Sequence, residues 1–211
     1  MEILAFKGLV LGFIYSVAMV SGTVWCAQVT VKRGFVAGLA VCFGIALAQA
    51  VLCGMALLAL YGLLLMPFDL GFALRILATV VFIYMAYKMF TAPKAKTLKS
   101  KEADTYPSRL FYITFILSIT MPMRLGGYLS FSIAAGLPFH GFSGVAAPWI
   151  AIAAGCGSMI WFTYIACLAA LFGHRVPEHI TLRSINKLNF LSGVVFALVA
   201  FITMLPLVAG F

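Results

Sequence analysis

Arg124 is the residue whose type and position could do chemistry, because it puts a full positive charge, two residues after Pro122, inside an apolar run. Residues 119–128 read Ile-Thr-Met-Pro-Met-Arg-Leu-Gly-Gly-Tyr, with the apolar segments 110–117 and 129–137 on either side. A cation at bilayer depth costs about 3 kcal/mol on the insertion scale, so Arg124 should face protein or water and not lipid. Pro122 removes a backbone donor and clashes with the preceding turn, which predicts a kink or break beside the charge. Broken helices at that depth are tolerated where they are buried or line a cavity. The chemistry on offer is recognition of a carboxylate or another anion, by the guanidinium and by the positive ends of broken helices.

Other chemistries find little support. The acidic residues Glu2, Asp69, Glu102, Asp104 and Glu178 all fall in predicted loops or termini, so no carboxylate is available at membrane depth to relay protons or to neutralise a cationic solute. His140, His174 and His179 lie in predicted loops and are too scattered for a metal site. Cys26, Cys42, Cys53, Cys156 and Cys167 fall in predicted spans without a Cys-x-x-Cys, so neither a disulfide framework nor a zinc site is indicated, and all five are expected to be small core residues. No catalytic residue, no cofactor and no metal is expected.

The elements that must position Arg124 are set by composition. With 64% hydrophobic residues, 9% charged residues and a mean hydropathy of +1.14, the chain has too little polar surface to coat a soluble globule. Long apolar runs without period-2 alternation favour helices over a barrel, and the length suits six spans. These are expected at 3–31, interrupted at Ser21-Gly22-Thr23; 34–65; 70–90; 109–135, interrupted at Met121-Pro122-Met123; 142–172; and 188–208. The segment 91–108 reads as the longest solvated loop, and 174–187 as a polar loop. The start lacks a basic n-region and its apolar run outlasts a signal peptide, so it is taken as the first span.

Eleven of the 14 Lys and Arg residues fall in the loops after spans 1, 3 and 5, which places those loops in the cytoplasm and both termini outside. The net charge of +9 is therefore a matter of orientation, and nucleic acid is not an expected partner. The expected partners are a small-molecule substrate and the lipid bilayer, with self-association into a homo-oligomer left open.

Three spans per half is an odd number, so two similar halves would sit inverted in the membrane. Each half has an interrupted first span, and each second span opens with Gly-Phe, at Gly34-Phe35 and Gly141-Phe142. The expected fold is thus an all-α integral membrane domain over 1–211, with a first three-helix repeat at 1–91, a cytoplasmic loop at 92–108 and a second repeat at 109–211.

The order of motifs resembles the LysE/RhtB family of amino-acid exporters. The likeness is carried by Gly8-x3-Gly12-Phe13, by Lys32-Arg33-Gly34-Phe35-x2-Gly38-Leu39-x4-Gly44-Ile45-Ala46-Leu47, and by Tyr84-x2-Tyr87-Lys88-Met89-Phe90 before a basic loop. Spans 4 to 6 match in layout. Three departures stand out. Ser21-Gly22-Thr23 replaces the family's Pro-Gly-Pro, Met121-Pro122-Met123 replaces Asn-Pro-Lys with the charge moved to Arg124, and Ala48-Gln49 stands where Gly-Asp is usual.

What the resemblance implies is a secondary transporter of the bacterial inner membrane that exports amino acids or related carboxylate-bearing solutes by alternating access. The candidate substrate-binding residues are Ser21, Gly22, Thr23, Gln49, Pro122, Arg124 and Tyr128, with Gln49 and Tyr128 as hydrogen-bonding groups. A non-transporting scaffold or assembly protein is the alternative. A thiol-redox protein is less favoured, because Cys26 has no cysteine opposite it near the span 4 interruption.

Overall fold

The structure, a computed structural model, describes residues 2–64, 71–91, 106–136, 144–172 and 178–208, and among them every regular element is helical. In chain order these are α1 (Glu2–Ala18), α2 (Val20–Arg33), α3 (Phe35–Leu64), α4 (Gly71–Phe90), α5 (Pro107–Ile119), α6 (Pro122–Ala134), α7 (Ala147–Phe172), entered through a 3-10 turn at Gly144–Ala146, and α8 (Glu178–Val208).

α3 shows why the chain needs a hydrocarbon solvent. Val41, Ile45, Leu52, Ala56 and Leu60 point inward and are buried, while Phe43, Leu47, Val51, Met55 and Leu58 on the opposite side are exposed. A helix apolar all round is stable in a core or a bilayer, and the outward half of α3 has no protein cover. Two helical stretches, Phe35–Gly62 and Gly144–Phe172, are long and apolar enough to cross a membrane. Two bent pairs meet the same test as single spans, α1 with α2 at 75° and α5 with α6 at 66°, and Ile76–Phe90 and Phe190–Met204 are shorter apolar helices.

The second bend falls where the sequence puts it, and the first does not. At Pro122 the helix restarts with proline in its first turn, where its missing N–H is no loss, and Met121 before it is extended at φ −88° and ψ 101°. In the first half the interruption is at Met19, and Ser21-Gly22-Thr23 form the first turn of α2 instead. Neither glycine nor proline causes that break. Met19 N–H closes onto the Ser16 carbonyl, the Thr23 hydroxyl donates to the Met19 carbonyl at 3.2 Å, and Gln49 reaches the Met19 sulfur. Gly34, at φ +88°, turns the chain from α2 into α3, a conformation that favours glycine.

Other boundaries also shift. α8 begins at Glu178, so most of the segment expected as a polar loop at 174–187 is helical, with Glu178 in the first turn, where a negative charge suits the helix dipole. Most of the basic loop at 91–108, the turns at 66–69 and 137–143, and His140 and His174 lie outside the described residues, as does the side chain of His179. Among the cysteines, Cys26, Cys42 and Cys53 are core residues as expected, but Cys156 is exposed and Cys167 half-buried, because they lie on outward-facing parts of α7.

The halves share one core. Tyr15, Leu57, Phe82, Tyr128, Phe131, Ile150 and Phe196 form a single cluster drawn from α1, α3, α4, α6, α7 and α8. α7 packs along both α1 and α3, α3 along α5, and α4 along α8. The α1–α7 seam is closed to backbone contact: a Cβ added at Gly12 would run into the Ala154 carbonyl, and one at Gly157 into the Leu9 carbonyl.

Candidate functional site

The site is built on the start of α6. Arg124 is in its first turn, 6% exposed, with its backbone N–H on the Met121 carbonyl at 3.0 Å. Its Nε and Nη1 are buried and find no hydrogen-bond acceptor among the described residues. A buried guanidinium left open in this way is costly, and a helix N-terminus adds positive potential at the same place. Both conditions, an open buried guanidinium and a helix N-terminus, are ones that a negative charge would relieve.

Two tyrosines form the floor next to it. Tyr15 from α1 donates its hydroxyl to the Arg124 carbonyl at 3.2 Å, and its ring lies 4.2 Å from that of Tyr128, one helical turn along α6. Gly127 allows this approach, since a Cβ there would sit 2.8 Å from the Tyr15 ring. Phe131 packs edge-on against Tyr15 at 5.6 Å and holds the pair from the next turn.

Tyr128 hands the network on to α3. Its hydroxyl donates to Gln49 Oε1 at 3.1 Å, and Ser16 Oγ contacts the same oxygen at 2.9 Å, as does Ser158 Oγ at shorter range. Gln49, wholly buried, therefore joins α1, α6 and α7 at the depth of the first break. One amide thus links the end of α1 to the second turn of α6.

Of the seven residues expected at the site, the structure brings three together: Gln49, Arg124 and Tyr128. Pro122 opens the helix that carries Arg124, and its side chain lies outside the described residues. Gly22 and Thr23 are buried but pack on α7, Gly22 beneath the Phe162 ring and Thr23 accepting the Trp161 indole N–H at 3.1 Å. Ser21 is exposed on the outer side of α2 and is not in this cluster. Sequence reasoning missed Tyr15, Ser16, Met19 and Ser158. The signal for the hydroxyls was there, as polar residues in apolar spans, but nothing in sequence put them at one depth.

One juxtaposition runs against expectation. Cys26 and Cys42 meet across α2 and α3 with sulfurs 3.1 Å apart, both also facing the Phe162 carbonyl, at 3.6 and 3.3 Å. The sequence has no cysteine opposite Cys26 near the span 4 interruption, and the Gly34 turn brings its neighbour from the adjacent helix instead. Both side chains are wholly buried, and the pair packs as part of a second apolar cluster with Val41, Ile45 and Phe162. Replacing both with alanine is expected to leave solute transport intact and to cost about 1–2 kcal/mol of stability from lost packing. Transport lost in a stably folded double variant would reinstate thiol chemistry.

Among the described residues no group of three or more His, Cys, Asp or Glu could hold a metal ion. A family model described as LysE type translocator matches residues 13–205. No curated protein and no solved structure matches the chain.

Proposed function

Since the chain belongs to the LysE type translocator family, whose members are transporters and not enzymes, we propose that it exports amino acids or related small carboxylate-bearing solutes across the bacterial cytoplasmic membrane. In this reading Arg124 holds the solute carboxylate and the Tyr15–Tyr128 pair lies under it. The observation that carries the proposal is the buried guanidinium whose Nε and Nη1 have no acceptor among the described residues. A structural arginine would spend those donors on carbonyls freed at the Thr120–Met121 break.

Alternating access between inverted halves is part of the same proposal. If α1, α2, α3 and α4 correspond to α5, α6, α7 and α8, the packing of α1 on α7 corresponds to that of α5 on α3, and the packing of α2 on α7 to that of α6 on α3. α3 with α7, and α4 with α8, then pair with their own counterparts. This exchange supports a pseudo-two-fold relation, and the broken first helix of each half supports a midplane site. The Lys and Arg bias favours a cytoplasmic position for the 91–108 loop, with both termini outside. The cluster shared by α1, α3, α4, α6, α7 and α8 supports reading the chain as one domain.

The test is counterflow in proteoliposomes with a panel of labelled amino acids and small organic acids. Exchange of at least one carboxylate solute is expected. A chain that passes no solute would favour the scaffold reading and leave Arg124 as a structural charge.

A further inference from the structure

We propose that α2 and α6, the arms that follow the two breaks, are the inner and outer gates of the solute path, and that the structure holds the outer gate shut and the inner one parted. In the transport reading, on which this rests, the two arms are counterparts in inverted halves. Counterparts should pack alike, and these do not. α6 crosses to the other half and packs along α4, whereas α2 touches α8 only lightly. α2 packs instead along α3 of its own half, and among the described residues α6 does not pack along α7.

An aromatic cluster pins α6 in place. Phe131 lies edge-on to Phe82 of α4 at 4.9 Å and 6.0 Å from Phe196 of α8, beside its contact with Tyr15 of α1. Gly126, Ser130 and Ile133 share one stripe of α6, at i, i+4 and i+7, and the first and last of them face Val81 and Ala78 of α4. The polar residues of α6 are shut in by this packing. Ser130 and Ser132 are wholly buried, and their hydroxyls have no partner among the described residues. Water would relieve that cost when α6 leaves α4.

α2 is polar as well, but its polar side is open. Ser21, Trp25, Gln28 and Lys32 fall at i, i+4, i+7 and i+11 on one face, with Ser21, Trp25 and Lys32 exposed and Gln28 half-buried. The opposite face carries Gly22 and Cys26, which lie against α3 and α7. A face bordering lipid is apolar, as the outward side of α3 is with Phe43, Leu47 and Val51. The α2 stripe therefore faces water.

That water has a place to be. The apolar cluster around Cys26 draws on α2, α3, α5 and α7, and no described residue of α4 or α8 belongs to it. On the side where the basic loops lie, the α4–α8 pair is thus parted from the rest, and the stripe runs along the cleft from the break at Met19 to Lys32. The Lys32 charge at the mouth favours entry of an anionic solute. The opposite state follows by exchanging the roles: α2 swings onto α8 as α6 leaves α4, which bares Ser130 and Ser132 and covers Ser21 and Gln28.

The experiment has two arms, both in a chain whose five native cysteines are alanine. The first is labelling in membrane vesicles of either orientation with a membrane-impermeant maleimide. From the cytoplasmic side it should modify Ser21→Cys and Gln28→Cys about tenfold or more faster than Leu47→Cys on the lipid side of α3, because it attacks thiolates and a thiol in hydrocarbon stays protonated. The second is a lock on the outer gate. A Cβ at Gly126 would lie 3.8 Å from Val81 Cγ1, so Val81→Cys with Gly126→Cys should form a disulfide on oxidation. The crosslinked protein is expected to lose counterflow and to regain it on reduction. Counterflow that survives crosslinking would overturn the gates and leave the transport reading intact, and a pair that does not crosslink would overturn the shut outer contact. Labelling of Ser21→Cys and Gln28→Cys no faster than that of Leu47→Cys, or from the opposite side, would overturn the parted inner gate. One-sided labelling in a chain that passes no solute, crosslinked or reduced, would uphold the cleft and count against transport.

Discussion

Arg124→Gln is expected to weaken counterflow of a carboxylate solute by about 30-fold or more while leaving the protein at least as stable as the wild type. Both halves of that expectation come from the same atoms. Removing one partner of a buried, charge-assisted pair costs about 2–5 kcal/mol, or roughly 30-fold to several thousand-fold in affinity. Stability should move the other way in the solute-free protein, because a charge that is 6% exposed, with Nε and Nη1 unpaired among the described residues, is a burden to the fold. Sites built for a ligand commonly carry such a cost. Arg124→Lys keeps the charge but loses the planar fork, so it should recover part of the transport. Thermal unfolding measured beside counterflow reads out both terms. A variant that loses stability along with transport would mark Arg124 as a structural cap on the α5–α6 break.

The second large effect lies far from that charge, on the α1–α7 seam. Gly12→Val and Gly157→Val are each expected to prevent assembly of the bundle or to destabilise it by about 3 kcal/mol or more. The obstacle in each case is a backbone carbonyl, Ala154 for Gly12 and Leu9 for Gly157, which cannot turn aside as a side chain would. α7 also carries Ser158, so pushing the seam apart would pull a hydroxyl off Gln49. Gly62→Ala is the control. Nothing lies within 4 Å of a Cβ there, and the change should stabilise α3 by about 0.5–1 kcal/mol through helix propensity alone. Detergent-solubilised yield and thermal unfolding would check all three. Equal behaviour of Gly12→Val and Gly62→Ala would contradict the close-packed seam.

Much of this was legible in sequence wherever one residue type dictates its own surroundings. Pro122 fixes the α5–α6 break within two residues, because a missing N–H and a restricted predecessor act locally. Arg124 announces itself because a charge in an apolar run has few places to go. Gly8 and Gly12 stand in the sequence as part of a motif, and a Cβ on either would meet the backbone of Ile150 or Ala154. The first break was misplaced for the complementary reason. Gly22 looks like a breaker, but it serves to fit under Phe162, and the bend at Met19 is held by Gln49 from another helix. Tertiary contacts of this kind leave no local trace. The same holds for the Gln49 network, in which Ser16, Tyr128 and Ser158 are 33, 79 and 109 residues away along the chain. Cys26 and Cys42 were missed although only 16 residues separate them, since their meeting depends on how tightly α2 turns into α3 at Gly34.

The measurement closest to the central claim is a comparison of each transported carboxylate with its own carboxamide, in proteoliposomes bearing either the wild type or Arg124→Gln. The amide keeps the size and shape of the solute and removes the charge that Arg124 is proposed to hold. The account predicts that the wild type prefers the carboxylate by tenfold or more, about 1.4 kcal/mol at the least, and that this preference disappears in Arg124→Gln. A preference that survives the substitution would contradict it, and would place the recognition of the solute somewhere other than the broken end of α6.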